Sequence, residues 1–182
     1  MNAPYREAVK KNFKNDFWLS VKQGFRSWYV YFFQFPVFPE MALKRGNLKS
    51  IEKMFFDQVH EHKLLTQYDM EVYKKALRQP GAMEAALNYY RANARDWLKS
   101  PEKKIEVPAL LIWGEHDMAL EKDLTNDMEE FFPEGLTKRF YPHSSHWVHL
   151  EYPREIQNEI VYFFSLTRLN RHKSGVSPMI SL

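Results

Sequence analysis

The spacing of apolar residues changes character near residue 105. Before that point they recur at helical intervals, and nothing alternates or clusters as a strand would. Residues 17–35 are predicted helical. Pro36 and Pro39 then force an extended break, because proline fixes its own φ and restricts the residue before it. A helix is predicted from Leu48 to His60. Another starts at Thr66, where Asp69 three positions on gives a capping-box pattern, and runs to Arg78. After Pro80-Gly81 a further helix carries Met83, Ala86, Leu87, Tyr90, Ala94 and Trp97 along one side, up to a break at Ser100-Pro101.

From Ile105 onward strands become visible. Val107-Pro-Ala-Leu-Leu-Ile-Trp113 is a near-continuous apolar run, as expected of a parallel strand buried on both faces, and Gly114 permits a sharp exit. Residues 121–131 are predicted helical, Pro133-Glu-Gly135 is a turn and Thr137–Tyr141 a short strand. Pro153 suits the first position of a final helix with Ile156, Ile160, Phe163 and Phe164 as its apolar stripe. From Thr167 the chain is basic and without periodicity, which predicts a loose tail. Strand, helix, strand, helix implies parallel strands with helical crossovers, so the fold class is α/β. Two strands make a poor sheet by themselves. This half therefore reads as the edge of a larger sheet whose earlier strands lie elsewhere.

Composition narrows the function classes. The 182 residues suit one ordinary domain or a small core plus a subdomain, and 45% apolar with 16% aromatic content supports a folded core. Lys and Arg number 26 against 23 Asp and Glu, a net +3 that is evenly interspersed and argues against nucleic acid as a partner. With no Cys there is no disulfide framework, and a metal would depend on His and carboxylates. No apolar run approaches a membrane span, and no basic region followed by an apolar stretch marks a secretory signal at the N-terminus. The densest apolar stretch, Trp28–Phe38, is broken by Gln34 and Pro36 and suits a subdomain core or pocket wall.

The candidate chemistry sits in two loops. Asp117 lies four residues past Trp113, beyond the carboxyl end of a strand, where open parallel sheets gather catalytic groups. His146 follows the second strand and would lie on the same side. An acid there can orient an imidazole and stabilise its protonated form, while the imidazole activates water or a nucleophile. The alternative is an ordinary loop aspartate beside a hydrogen-bonded loop histidine. His143, His146 and His149 share a regular spacing, but no carboxylate ligand accompanies them and no metal is expected. His60-Glu-His62 does not match a zinc-protease pattern. No Gly-x-Gly-x-x-Gly, P-loop or Gly-x-Ser-x-Gly occurs, which leaves nucleotide binding and a self-contained serine hydrolase unsupported.

Five segments in order resemble the epoxide hydrolases of the α/β-hydrolase superfamily. They are Asn2-Ala-Pro, Ser27–Glu40, Asn88-Tyr-Tyr-Arg91, Pro108–Asp117, and Ser145-His-Trp147 followed by Glu151-Tyr-Pro153. The resemblance covers nearly all of residues 2–166 and implies a partial α/β-hydrolase fold. Residues 1–16 would be a connector after missing core strands and 17–104 a helical cap. Residues 105–166 would be the C-terminal part of the core and 167–182 a flexible basic tail. It also implies that Asp117 orients the base His146, which activates water to hydrolyse an aspartyl ester formed from an epoxide. Tyr90 would assist ring opening from the cap. The second cap tyrosine is expected immediately before Phe-Gln, where this chain has Phe32 with Tyr31 adjacent. No nucleophilic aspartate and no His-Gly-x-Pro oxyanion segment is read in the chain, and Asp16 and Asp57 do not sit on strand elbows. The implied reaction needs no cofactor, and its partner would be a small lipophilic epoxide once an N-terminal half is supplied. Inactivity of the chain alone is expected, with self-association or a complementing chain at the exposed sheet edge. A haloalkane or haloacetate dehalogenase, or a non-catalytic binding remnant, are the alternatives.

Overall fold

In the computed structural model, which describes residues 3–59, 66–99 and 103–173, the apolar run at 107–113 becomes strand β1, Ala109–Gly114. It pairs in parallel with β2, Leu136–Tyr141, in a register that sets Ala109 opposite Leu136 and Gly114 opposite Tyr141. Among the described residues these two strands are the whole sheet. The pleat sends Leu111 and Trp113 into a core with Ala8, Met128, Phe131 and Phe132. Leu110 and Ile112, on the other face, are only half-buried, so the expected burial on both faces holds for one. The predicted end of a helix at His60, the His60-Glu-His62 pair, Ser100-Pro101, the side chain of Trp97 and the tail beyond 173 lie outside the described residues.

The first sixteen residues do more than connect. Helix α1, Arg6–Asn15, buries Ala8 against the β1 core and Val9 against Leu19 and Leu124. Its Asn12 explains why 121–131 is not the single helix that its pattern predicts. The Asn12 side-chain amide donates to the carbonyls of Asp123, Leu124 and Asn126 at 3.2, 3.4 and 2.9 Å, turning them away from an α-helical ladder. Asp127 adopts φ 55°, and two short 3₁₀ turns result, Lys122–Thr125 and Met128–Phe131.

The helical region begins with α2, Phe17–Arg26, capped by Asp16, which accepts the Leu19 N–H at 2.9 Å. A bend at Ser27 separates it from α3, Trp28–Phe32. The break falls at 33–37, as turns and bends with Val37 at φ 67° rather than as extended chain, and Pro39 occupies the first turn of α4, Phe38–Gln58, where its missing N–H costs no bond. That helix is interrupted at Arg45–Leu48, where Gly46, Asn47 and Leu48 take φ near +60°. Thr66 and Asp69 form the predicted capping box of α5, Gln67–Leu77. Met83 and Leu87 of α6, Ala82–Lys99, pack against Leu48 and Ile51. Beyond β2, the short helix α7, Val148–Glu151, precedes α8, Pro153–Lys173. Pro153 is the first residue of α8 as predicted, and the helix continues through the first seven residues expected as tail. Its stripe is incomplete: Ile156 is buried while Phe164 is 65% exposed.

Candidate active site

The site is built where β1 and β2 end. Glu115 N–H donates to Tyr141 C=O at 3.0 Å and His116 N–H to Ser144 C=O at 2.8 Å, which extends the strand pairing into the two exit loops. Gly114 lets the loops approach. A Cβ there would lie 2.0 Å from the Ser145 carbonyl oxygen and 2.7 Å from that of Ser144, so no larger residue fits this backbone. Past this contact, Asp117 Oδ1 accepts the N–H groups of Ala119 and Leu120 at 2.7 and 3.0 Å. Its Oδ2 faces His146 Nδ1 at 2.7 Å. Asp117 is buried and the His146 side chain 14% exposed. A carboxylate on Nδ1 favours the tautomer that carries its proton there and leaves Nε2 free to take one.

Helix α2 docks on the Asp117 loop through residues one turn apart. Gln23 donates to Ala119 C=O at 2.8 Å and accepts Glu121 N–H at 2.8 Å. Arg26 donates to Asp117 C=O at 2.5 Å and pairs with Glu121 at 2.5 Å. Beyond the bend at Ser27, Tyr29 meets Tyr90 edge-on, with ring centroids 6.0 Å apart, and Phe33 packs on both. The Tyr29 phenol is pushed up to about 12 by burial, then by the charges of Tyr90 and Asp117. Burial also raises Tyr90. Both phenols therefore stay protonated donors at neutral pH, and the Asp117 charge reaches Tyr29. Arg91 fixes their mutual placement by donating to the Phe33 and Phe35 carbonyls at 3.0 and 2.8 Å while paired with Glu40 at 2.8 Å.

Among the described residues no group of three or more His, Asp or Glu is arranged to hold a metal ion. His143 stacks on His116, while His146 and His149 both face the Trp147 ring, and burial holds His149 below the usual imidazole range.

Curated proteins similar in sequence include epoxide hydrolase 3 of Xenopus tropicalis, 34% identical over 170 residues covering 90% of this chain and 44% of that protein. Epoxide hydrolase 4 of mouse is 30% identical over 146 residues, 78% of this chain and 40% of that protein. This chain belongs to the epoxide hydrolase family. It spans less than half the length of the curated relatives it matches. The fold agrees: an epoxide hydrolase from Bacillus megaterium superposes with a TM-score of 0.72 at 22% identity, over 90% of this chain and 58% of that one. A variant of potato epoxide hydrolase does so with a TM-score of 0.65 at 22% identity, over 75% and 52%. These neighbours place the two-stranded sheet and its helices in a partial α/β-hydrolase fold. No protein-family model matches the chain.

Within this epoxide-hydrolase frame the sequence-predicted pair, Asp117 and His146, is in hydrogen-bond contact, and Tyr90 stands beside other tyrosines. The tyrosine rings edge-on to Tyr90 are those of Tyr29 and Tyr89, neither of which the sequence reading singled out. Tyr31 is 66% exposed, and the Phe32 ring packs on Trp28 and Phe33. No local spacing marked Tyr29: α2 ends at Arg26 and the bend at Ser27 re-aims the chain before Tyr29, so its placement depends on how α3 packs on α6.

Proposed function

We propose that this chain contributes the acid, the base and the ring-opening phenols of an enzyme that hydrolyses a small lipophilic epoxide to a diol. The observation that supports it is the 2.7 Å contact of Asp117 Oδ2 with His146 Nδ1, with the Asp117 charge felt at Tyr29, the ring edge-on to Tyr90. In this reading a carboxylate nucleophile attacks an epoxide carbon, forming an ester and breaking the C–O bond. The oxygen leaves as an alkoxide that takes its proton from Tyr29 or Tyr90, phenols weaker as acids than usual yet far stronger than an alcohol. His146 Nε2 then removes a proton from water as that water attacks the ester carbonyl, and Asp117 stabilises the imidazolium. On collapse of the tetrahedral adduct the departing diol oxygen takes the imidazolium proton, and the carboxylic acid formed gives its proton to the phenolate, so carboxylate, phenol and imidazole are all restored.

The carboxylate nucleophile comes from outside these 182 residues. Asp16 caps α2 with its Oδ1, and Asp57 is exposed near the end of helix α4. The chain alone is therefore inactive, and a nucleophile-bearing segment completes it along the sheet edge, with 17–104 as cap and 105–166, joined by α1, as core. The test is styrene oxide turnover. The purified chain should form no diol above background, whereas steady turnover would overturn the external nucleophile. With a nucleophile-bearing segment supplied, a single turnover in ¹⁸O-water should label the carboxylate and leave the diol unlabelled. Label in the diol at the first turnover would overturn the ester intermediate.

A further inference from the structure

Glu151 carries a bonding pattern that the reaction steps above leave unused. It ends α7, is buried, and directs one oxygen at the loop that presents the base. Its Oε2 accepts the Ser145 N–H at 2.7 Å and also the Ser144 hydroxyl. Ser144 and Ser145 are themselves fully buried. Their carbonyls point the other way: Ser144 C=O accepts from His116, and Ser145 C=O lies against Gly114. The Ser144-Ser145 segment is thus gripped on one side by Glu151 and on the other by the loop that carries Asp117. The next residue is His146. Ser145 Oγ then accepts the Trp147 N–H at 3.1 Å, closing the turn around the histidine from its far side.

Burying a carboxylate costs several kcal/mol of desolvation, which an apolar side chain of the same volume would avoid. Two directional bonds to the backbone and side chain just before the base offset that cost, and neither could be made by an apolar residue. We infer that Glu151 is a positioning residue that holds His146 Nδ1 on Asp117. The inference rests on the reading of Asp117 and His146 as an acid–base pair. Its action is through the loop: a carboxylate at the end of α7 fixes the Cα of His146 relative to the end of β1, so the imidazole keeps its bond to Asp117 as it gains and loses a proton.

The experiment follows the His146 Nδ1 proton by NMR in the ¹⁵N-labelled 182-residue chain, identified by its loss in Asp117→Asn. Glu151→Ala should speed exchange of that proton with water by about 10-fold or more, the scale of one lost bond to a charged acceptor. Glu151→Gln should stay within about threefold of the original chain, because its carbonyl can still accept from Ser145. Amide exchange at Leu111 and Ile112 of β1 should be unchanged in both. Unchanged Nδ1 exchange in Glu151→Ala overturns the inference, and so does acceleration of β1 amides by the same factor, which marks general loosening. If Glu151→Ala does not fold, Ser144→Ala removes one of the two donors and should speed Nδ1 exchange with β1 unaffected; no change there overturns it. Absence of a protected Nδ1 proton in the original chain would overturn the acid–base pair itself, and with it this role.

Discussion

The loops that bring Asp117 to His146 and the helices that bring Tyr29 to Tyr90 are held by different forces. In the loops, placement is set by hydrogen bonds between 2.7 and 3.0 Å and by a backbone approach that only glycine admits. In the helices, placement comes from rings packed edge to face at 5.0 to 6.0 Å, with the Arg91 bonds as the main directional tie. Bonds of the first kind fix an atom to a few tenths of an ångström; ring packing of the second kind tolerates changes of shape and still excludes water. A base needs the first kind because its proton must arrive at one nitrogen. A surface that meets a lipophilic molecule suits the second.

The comparison can be broken most strongly at Asp117. Asp117→Asn should keep the fold but reverse the imidazole tautomer, slowing hydrolysis in the catalytically complete enzyme by about 10⁴-fold, read from kcat for styrene oxide. Next, Gly114→Ala should cost about 3 kcal/mol or more in urea unfolding, because its Cβ meets backbone rather than a side chain that could swing away. Gly24→Ala in α2 meets nothing within 4 Å, so the same measurement should show a gain of up to about 1 kcal/mol. Among the rings, Tyr29→Phe should slow hydrolysis by about 10²-fold, while Tyr31→Phe leaves it unchanged. Equal losses from the two would dissolve the distinction between the paired and the exposed tyrosine.

Alkaline pH gives a smaller effect with a definite sign. Tyr29 is raised to about 12 from an ordinary value of 10, so the folded chain holds that proton more tightly than the unfolded one. Its contribution to stability is fully present below pH 10 and is lost as pH climbs towards 12. Denaturation midpoints across that window should fall less steeply in Tyr29→Phe than in the original chain. Smallest of all, Thr66→Ala should cost about 1 kcal/mol by removing the cap of α5, without touching the Asp117–His146 bond.

Local signals in the chain were readable where local physics decides. Pro153 opens a helix because its missing N–H is not needed there, and Thr66 with Asp69 forms its box from residues three apart. Asp117 and His146 were readable because each follows a strand whose partner runs parallel, which puts both on one end of the sheet. What was hidden depends on contacts distant in sequence. The 3₁₀ turns at 122–131 answer to Asn12, more than a hundred residues away. Tyr29 was hidden because its neighbours in sequence, Tyr31 and Phe32, offered a register that ignored how α3 packs on α6. The role of Glu151 was equally silent: Glu151-Tyr-Pro153 marked a resemblance, but only the fold shows Ser144 and Ser145 donating to the carboxylate.

The Phe55 ring lies between Tyr73 and Trp147, at 5.6 and 4.5 Å, so a single stack joins α5, α4 and the residue after His146. Trp147 also stands 5.2 Å from the His146 ring, nearly perpendicular to it. A protonated imidazole quenches a neighbouring indole and a neutral one does so weakly, which makes Trp147 an optical gauge built into the chain. Among five tryptophans, Trp18 and Trp28 are exposed and emit at longer wavelength, whereas Trp113 is buried and Trp147 partly buried, so both lie towards the blue side of the spectrum. The arrival of a proton at His146 can thus be watched as dimming, with no label attached.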